Sequence, residues 1–135
     1  MEKVAGIGGF FFRAKDPETL KKWYAAHLGV LATPADYDSP CWQQEGGPTV
    51  FEPFPADTDY FRDLAKGWMT NFRVLNLDAM VDQLRCAGIE VEVDLQEYPN
   101  GRFARLNDPE GNPVEIWQPK GRDAPRAVGK DAGMT

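Results

Sequence analysis

The sequence predicts an α+β fold built from two tandem β-α-β-β-β modules. Three observations carry that expectation. Two helices have well-marked caps and stops, strand-like runs surround each of them, and the two halves of the chain correspond at an offset of about 60 residues. In the first half, Gly6 to Ala14 holds Phe10-Phe11-Phe12, too short and apolar for anything but a buried strand or a helix core. Asp16-Pro17-Glu18 then opens a helix, with a capping acid, Pro at the first turn and Glu at the positive end of the dipole. Leu20, Trp23, Tyr24, His27 and Leu28 follow at helical spacing, and Gly29 stops the helix. Strand-like pieces come at Val30-Leu31, Cys41-Trp42-Gln43 and Thr49-Val50-Phe51-Glu52.

The second half reads more sharply. Residues 69–75 are strand-like, and Asn76 caps a helix carrying Leu77, Met80, Leu84 and Ala87 mainly on one face, ended by Gly88. Ile89 to Leu95 alternates branched and acidic residues, the pattern of a half-buried strand. Pro99-Asn100-Gly101 is a turn, Arg102 to Asn107 a strand, Asp108 to Pro113 a second turn, and Val114-Glu115-Ile116-Trp117 a closing strand. Phe12-Arg13 matches Phe72-Arg73, Asp16 matches Asn76, and Gly29 matches Gly88, so strand, cap and stop agree across the repeat. Module one covers about residues 4–54, a linker 55–67, and module two about 68–118, leaving a polar C-terminal tail at 119–135.

A chain of 135 residues is long enough to bury one proper core. The net charge of −6 disfavours nucleic acid and anionic membrane surfaces as partners. No apolar stretch approaches the roughly 20 residues of a membrane span, and the N-terminus lacks a signal-peptide layout, so a soluble cytoplasmic protein is expected. Cys41 and Cys86 have neither a C-x-x-C spacing nor a His companion and are expected to be reduced and packed. Gly8-Gly9 and Gly46-Gly47 lack the strand-to-helix context of a phosphate loop, and a single histidine leaves little material for a triad.

Two segments carry a family resemblance. Asp16-Pro17-Glu18 leading to Trp23-Tyr24 and His27-Leu28-Gly29 is one; Gly101 to Leu106 with Asp108-Pro109-Glu110-Gly111-Asn112-Pro113-Val114-Glu115-Ile116-Trp117 is the other. Together they resemble the opening helix and the closing hairpin of the vicinal oxygen chelate superfamily, which unites glyoxalases, bleomycin-resistance proteins and extradiol dioxygenases. The resemblance spans about residues 4–118. It implies an open, curved mixed sheet of two half-barrels around a cavity, and a homodimer. It also implies a metal site, whose positions fall here on Gly9, Met69 and Glu115, with Glu52 near the remaining one. Glycine offers no donor and a thioether is a poor one, so neither metal nor other cofactor is expected.

Strand alternation from those positions places Phe11 and Arg13, Phe54, Asn71 and Arg73, and Trp117 on the cavity face as candidate ligand-binding residues. Arg13 and Arg73 could clamp an anion together or pair with Glu52 and Glu115. Asp57, Tyr60 and Phe61 in the linker could edge the cavity or simply pack. The first functional reading is a metal-free protein binding a small anionic or aromatic molecule. The alternative is a lyase or isomerase on a vicinal oxygen compound, with Glu52 or Glu115 as base. An interaction module whose cavity is only a packing surface is the third.

Overall fold

The structure is a computed structural model describing residues 1–125. The two helices form where the caps place them. Helix α1 runs Pro17–Leu28, with the Asp16 carboxylate accepting from the Thr19 amide and hydroxyl, and ends at Gly29 in the left-handed region. Helix α2 runs Leu77–Cys86, capped by Asn76 accepting from the Ala79 amide. Four strands follow the order expected of module two: β1 Thr70–Arg73, β2 Glu92–Val93, β3 Gly101–Asn107 and β4 Pro113–Pro119. They make one open mixed sheet in the order β1-β4-β3-β2, with β1 parallel to β4 and the other pairs antiparallel.

The core lies between this sheet and the helices. Leu77, Val81 and Leu84 of α2 meet Ala104, Leu106, Val114 and Ile116 of the sheet, all buried, and Trp23, Tyr24 and Leu28 of α1 pack against the same cluster. The turn Asp108–Pro113 fixes α1 to the sheet. Asp108 accepts from the Tyr24 hydroxyl at 2.7 Å and from Asn112, while the Glu110 carboxylate accepts from the amides of Lys15 and Asp16. Burial, then the bond to Asp108, pushes the Tyr24 hydroxyl well above its ordinary value, so it stays a donor. The closing motif thus anchors the opening helix. No described helix is long and apolar enough to cross a membrane.

The first half departs from the expected repeat. Apart from α1, residues 4–54 form no strand in the structure, and the runs Phe10–Phe12, Cys41–Gln43 and Thr49–Glu52 lie largely exposed. The physical reason is that a strand exists only with a ladder partner, and these runs are short and bounded by Gly8-Gly9, Pro40 and Gly46-Gly47-Pro48. Phe10 and Phe12 instead pack on Trp68 at ring distances of 5.2 and 5.0 Å. The Ile89–Leu95 strand shortens to the edge pair Glu92–Val93, leaving Leu95 exposed. Cys41 and Cys86 are free thiols but exposed rather than packed. Strand β4 ends at Pro119 and a 3-10 turn covers Gly121–Asp123; residues 126–135 of the expected tail lie outside the described residues.

Candidate functional site

Both helices cover one face of the sheet, and the opposite face carries the polar and aromatic side chains. Register explains the set. Asn71, Glu115, Arg105 and Glu92 stand side by side across β1, β4, β3 and β2, and Arg73, Trp117 and Phe103 form the next row. Their neighbours along each strand, such as Phe72, Ile116 and Ala104, point into the core instead. The strong twofold alternation of β4 therefore divides one segment into core and site.

Glu115 is the centre of this face. It is 5% exposed, yet both carboxylate oxygens have donors: Asn71 Nδ2 lies 2.8 Å from Oε1 and the Tyr60 hydroxyl 2.7 Å from Oε2. Arg105 supplies the countercharge, with Nε 3.7 Å from Oε2. The same guanidinium sits 4.0 Å from the centroid of the Tyr60 ring and donates to the Tyr60 carbonyl. Phe54 stacks on Tyr60 at 5.2 Å with rings inclined by 18°. Burial, then the bond to Glu115, raises the Tyr60 hydroxyl above its ordinary value, with Arg105 opposing; the phenol stays protonated and donating.

Arg73 pairs with neither Glu52 nor Glu115. Its guanidinium donates to the main-chain carbonyls of Glu45, at 2.7 Å, and Pro48. Gly47 permits this close approach, since a Cβ there would lie 2.8 Å from Arg73 Nε. Trp117 is buried, donates from Nε1 to the Asn100 carbonyl at 2.9 Å and lies parallel to Phe103. The remaining candidates are not drawn in. Phe11 is 93% exposed, and Arg13 and Glu52 are exposed as well. The arginine that meets Glu115 is Arg105, which sequence reasoning missed. The signal was present: once the Asp108–Pro113 turn pairs Asn107 with Pro113, Arg105 must face Glu115.

The residues present do not fit the superfamily's divalent ion. Gly9 and Met69 bring no suitable donor, and the Glu115 oxygens already accept from Tyr60 and Asn71 beside a guanidinium that would repel a cation. No three His, Cys, Asp or Glu side chains converge among the described residues.

Residues 54–66 cross this face as a strap. Arg62 grips Glu92 through two bonds of 2.8 Å, and Lys66 reaches Asn112 at 3.2 Å. The Arg62 guanidinium holds the exposed Glu92 carboxyl below the usual range. A depressed carboxylate contributes stability above its unfolded pKa and loses it as pH falls through the folded value, so the strap should loosen only in acid, below the ordinary glutamate range. Amide resonances of Phe61 and Arg62 followed from neutral to acid pH would check this; movement centred near neutrality would contradict it.

These features define a class: an α+β domain with an open mixed sheet, both helices on one side and a carboxylate-centred site on the other. The model of the glyoxalase-like domain family matches residues 9–117. The chain belongs to that family, and with it to the vicinal oxygen chelate superfamily. Among solved structures it is similar to TnmS3, an antibiotic binding protein from Streptomyces sp. CB03234, at 21% identity over 89% of this chain and 100% of that one, with a TM-score of 0.56. It is also similar to a glyoxalase/bleomycin resistance protein from the same Streptomyces, at 25% identity over 77% of this chain and 92% of that one, with a TM-score of 0.46. Among curated proteins none matches the sequence significantly.

Proposed function

We propose that the protein binds a small aromatic molecule on the strand face around Glu115, without a metal ion. The observation that carries this reading is the placement of a nearly buried, fully hydrogen-bonded carboxylate among Phe54, Tyr60, Phe103 and Trp117. A few fixed polar groups among aromatic walls are what a small-molecule site needs. That a fold neighbour is described as an antibiotic binding protein is in keeping with it. Ring stacking is the main source of recognition, since Arg73 is occupied by main-chain carbonyls and does not form an anion clamp with Arg13.

Binding is preferred to catalysis because a base must be free to take a proton. Glu115 accepts from Tyr60 and Asn71 beside Arg105, and Glu52 is exposed to solvent. The exposed Phe10, Phe11, Val50 and Phe51 support association as a homodimer, in which that apolar surface would be covered. The test is a titration of isotopically labelled protein with indole and quinoline, two neutral aromatics, followed by amide and Trp indole resonances. Saturable shifts at Asn71, Arg105, Glu115 and Trp117 are expected. Shifts confined to other surfaces, or none with either compound, would overturn the reading.

A further inference from the structure

The surroundings of one side chain describe the ligand more closely. Tyr60 presents a neutral ring whose hydroxyl donates to Glu115 at 2.7 Å, whose face lies 4.0 Å below the Arg105 guanidinium, and which stacks on Phe54. Glu115, Asn71 and Arg105 belong to paired strands, so this half of the contact is fixed by the sheet. Tyr60 belongs to the strap, none of whose residues 54–66 is buried. Along the sheet the strap is held mainly by polar contacts: Arg62 with Glu92, Lys66 with Asn112, and Arg105 with the Tyr60 carbonyl. Arg62 also sits in the left-handed region at φ 68°, a costly conformation for a residue with a side chain and one relieved if the strap moves. On its far side the strap borders an open groove of about 1270 Å³ between Phe61 and Arg62 and the segment Gly88 to Val93, which touches Arg105 but neither Tyr60 nor Glu115.

We propose that this place is a subsite for phenolic, hydroxy-aromatic ligands, and that Tyr60 fills it in the unliganded chain as an internal mimic that a ligand must displace. The proposal rests on the binding reading above and specifies its chemistry. Each wall selects for a phenol. A buried carboxylate requires a donor, so it repels benzoate-like anions and leaves a plain hydrocarbon unable to satisfy it. A guanidinium over the ring favours an electron-rich neutral aromatic and disfavours a cationic one. An aliphatic alcohol would satisfy Glu115 but forgo the contact with the Arg105 guanidinium. The strap then acts as an autoinhibitory latch that opens only for a molecule replacing all the contacts of Tyr60.

The test uses p-cresol, which reproduces the tyrosine side chain, against toluene, which lacks the hydroxyl. Nuclear magnetic resonance titrations are run on the wild type, Tyr60→Ala and Tyr60→Phe. In Tyr60→Ala, p-cresol is expected to bind about tenfold or more tightly than toluene, the discrimination a hydrogen bond to a charged acceptor supplies. The wild type should bind p-cresol more weakly than Tyr60→Ala, and saturation should speed amide exchange across residues 55–66. Tyr60→Phe, which keeps the ring, should show the faster strap exchange without ligand, and it decides the matter if Tyr60→Ala fails to fold. Equal binding of p-cresol and toluene, wild-type affinity equal to that of Tyr60→Ala, or unchanged strap exchange in Tyr60→Phe would each overturn the latch. If indole or quinoline still binds at Asn71 and Trp117 in that event, the binding reading stands alone. If no aromatic perturbs this face in any variant, both fall.

Discussion

Replacing Glu115 by alanine is expected to destabilise the protein by about 3 kcal/mol, chiefly because the largely covered Arg105 guanidinium is left without its countercharge. Arg105, with its side chain 16% exposed, would keep its charge without a partner, and the Tyr60 hydroxyl and Asn71 amide would be deprived of their acceptor. The 3.7 Å ion pair is long, which places the expected cost towards the low end of the range for breaking a buried pair. Glu115→Gln should cost about half as much, because the amide oxygen still accepts one bond while the charge is gone. Urea denaturation followed by Trp fluorescence gives both values. A double-mutant cycle with Arg105→Ala isolates the coupling between the two strands. A destabilisation below about 1 kcal/mol for Glu115→Ala would mean that the network does not hold the site together.

The second large effect is expected at Gly101. Its φ of 138° suits glycine alone, and an added Cβ would lie 2.1 Å from the Gln118 carbonyl oxygen and 2.8 Å from Trp117 Nε1. The carbonyl belongs to the paired strand β4 and cannot yield cheaply. Gly101→Ala should therefore cost about 3 kcal/mol or more, combining backbone strain with overpacking. It should also pull the Trp117 indole from the Asn100 carbonyl, which shifts Trp emission and disturbs the aromatic row of the site. Gly88→Ala is the control. Its φ is 82° but a Cβ there meets nothing within 4 Å, so only the backbone cost of about 1 kcal/mol is expected. Equal destabilisation in the two variants, read by the same denaturation experiment, would rule out the clash as the cause.

Some of this fold is written locally. Asp16 and Asn76 cap their helices because each side chain reaches an amide three residues on, and Gly29 ends α1 in the left-handed region, all within a few residues. The turn Asp108–Pro113 fixes the closing hairpin, and alternation then decides that Glu115 and Trp117 leave the core while Val114 and Ile116 enter it. The same alternation puts Asn71 on that side of its own strand. These features need no knowledge of the rest of the chain.

Partners were decided by the tertiary structure. Arg73 emerges on the anticipated face, yet the segment that comes within its reach is Glu45–Pro48, so it binds carbonyls instead of a ligand or Glu115. Tyr60 meets Glu115 across 55 residues of sequence, a contact that no periodicity encodes because the strap has none. The run Phe10-Phe11-Phe12 has the composition of a buried strand, but β structure requires a second strand's N–H and C=O groups, and no ladder forms on it. The sequence alone determined caps, turns and the side of the sheet on which each residue lies, because those follow from bonds within one or two turns of chain. Which groups meet across the site was settled only in three dimensions, because a hydrogen bond or a ladder is completed by whichever distant segment the packing brings to it.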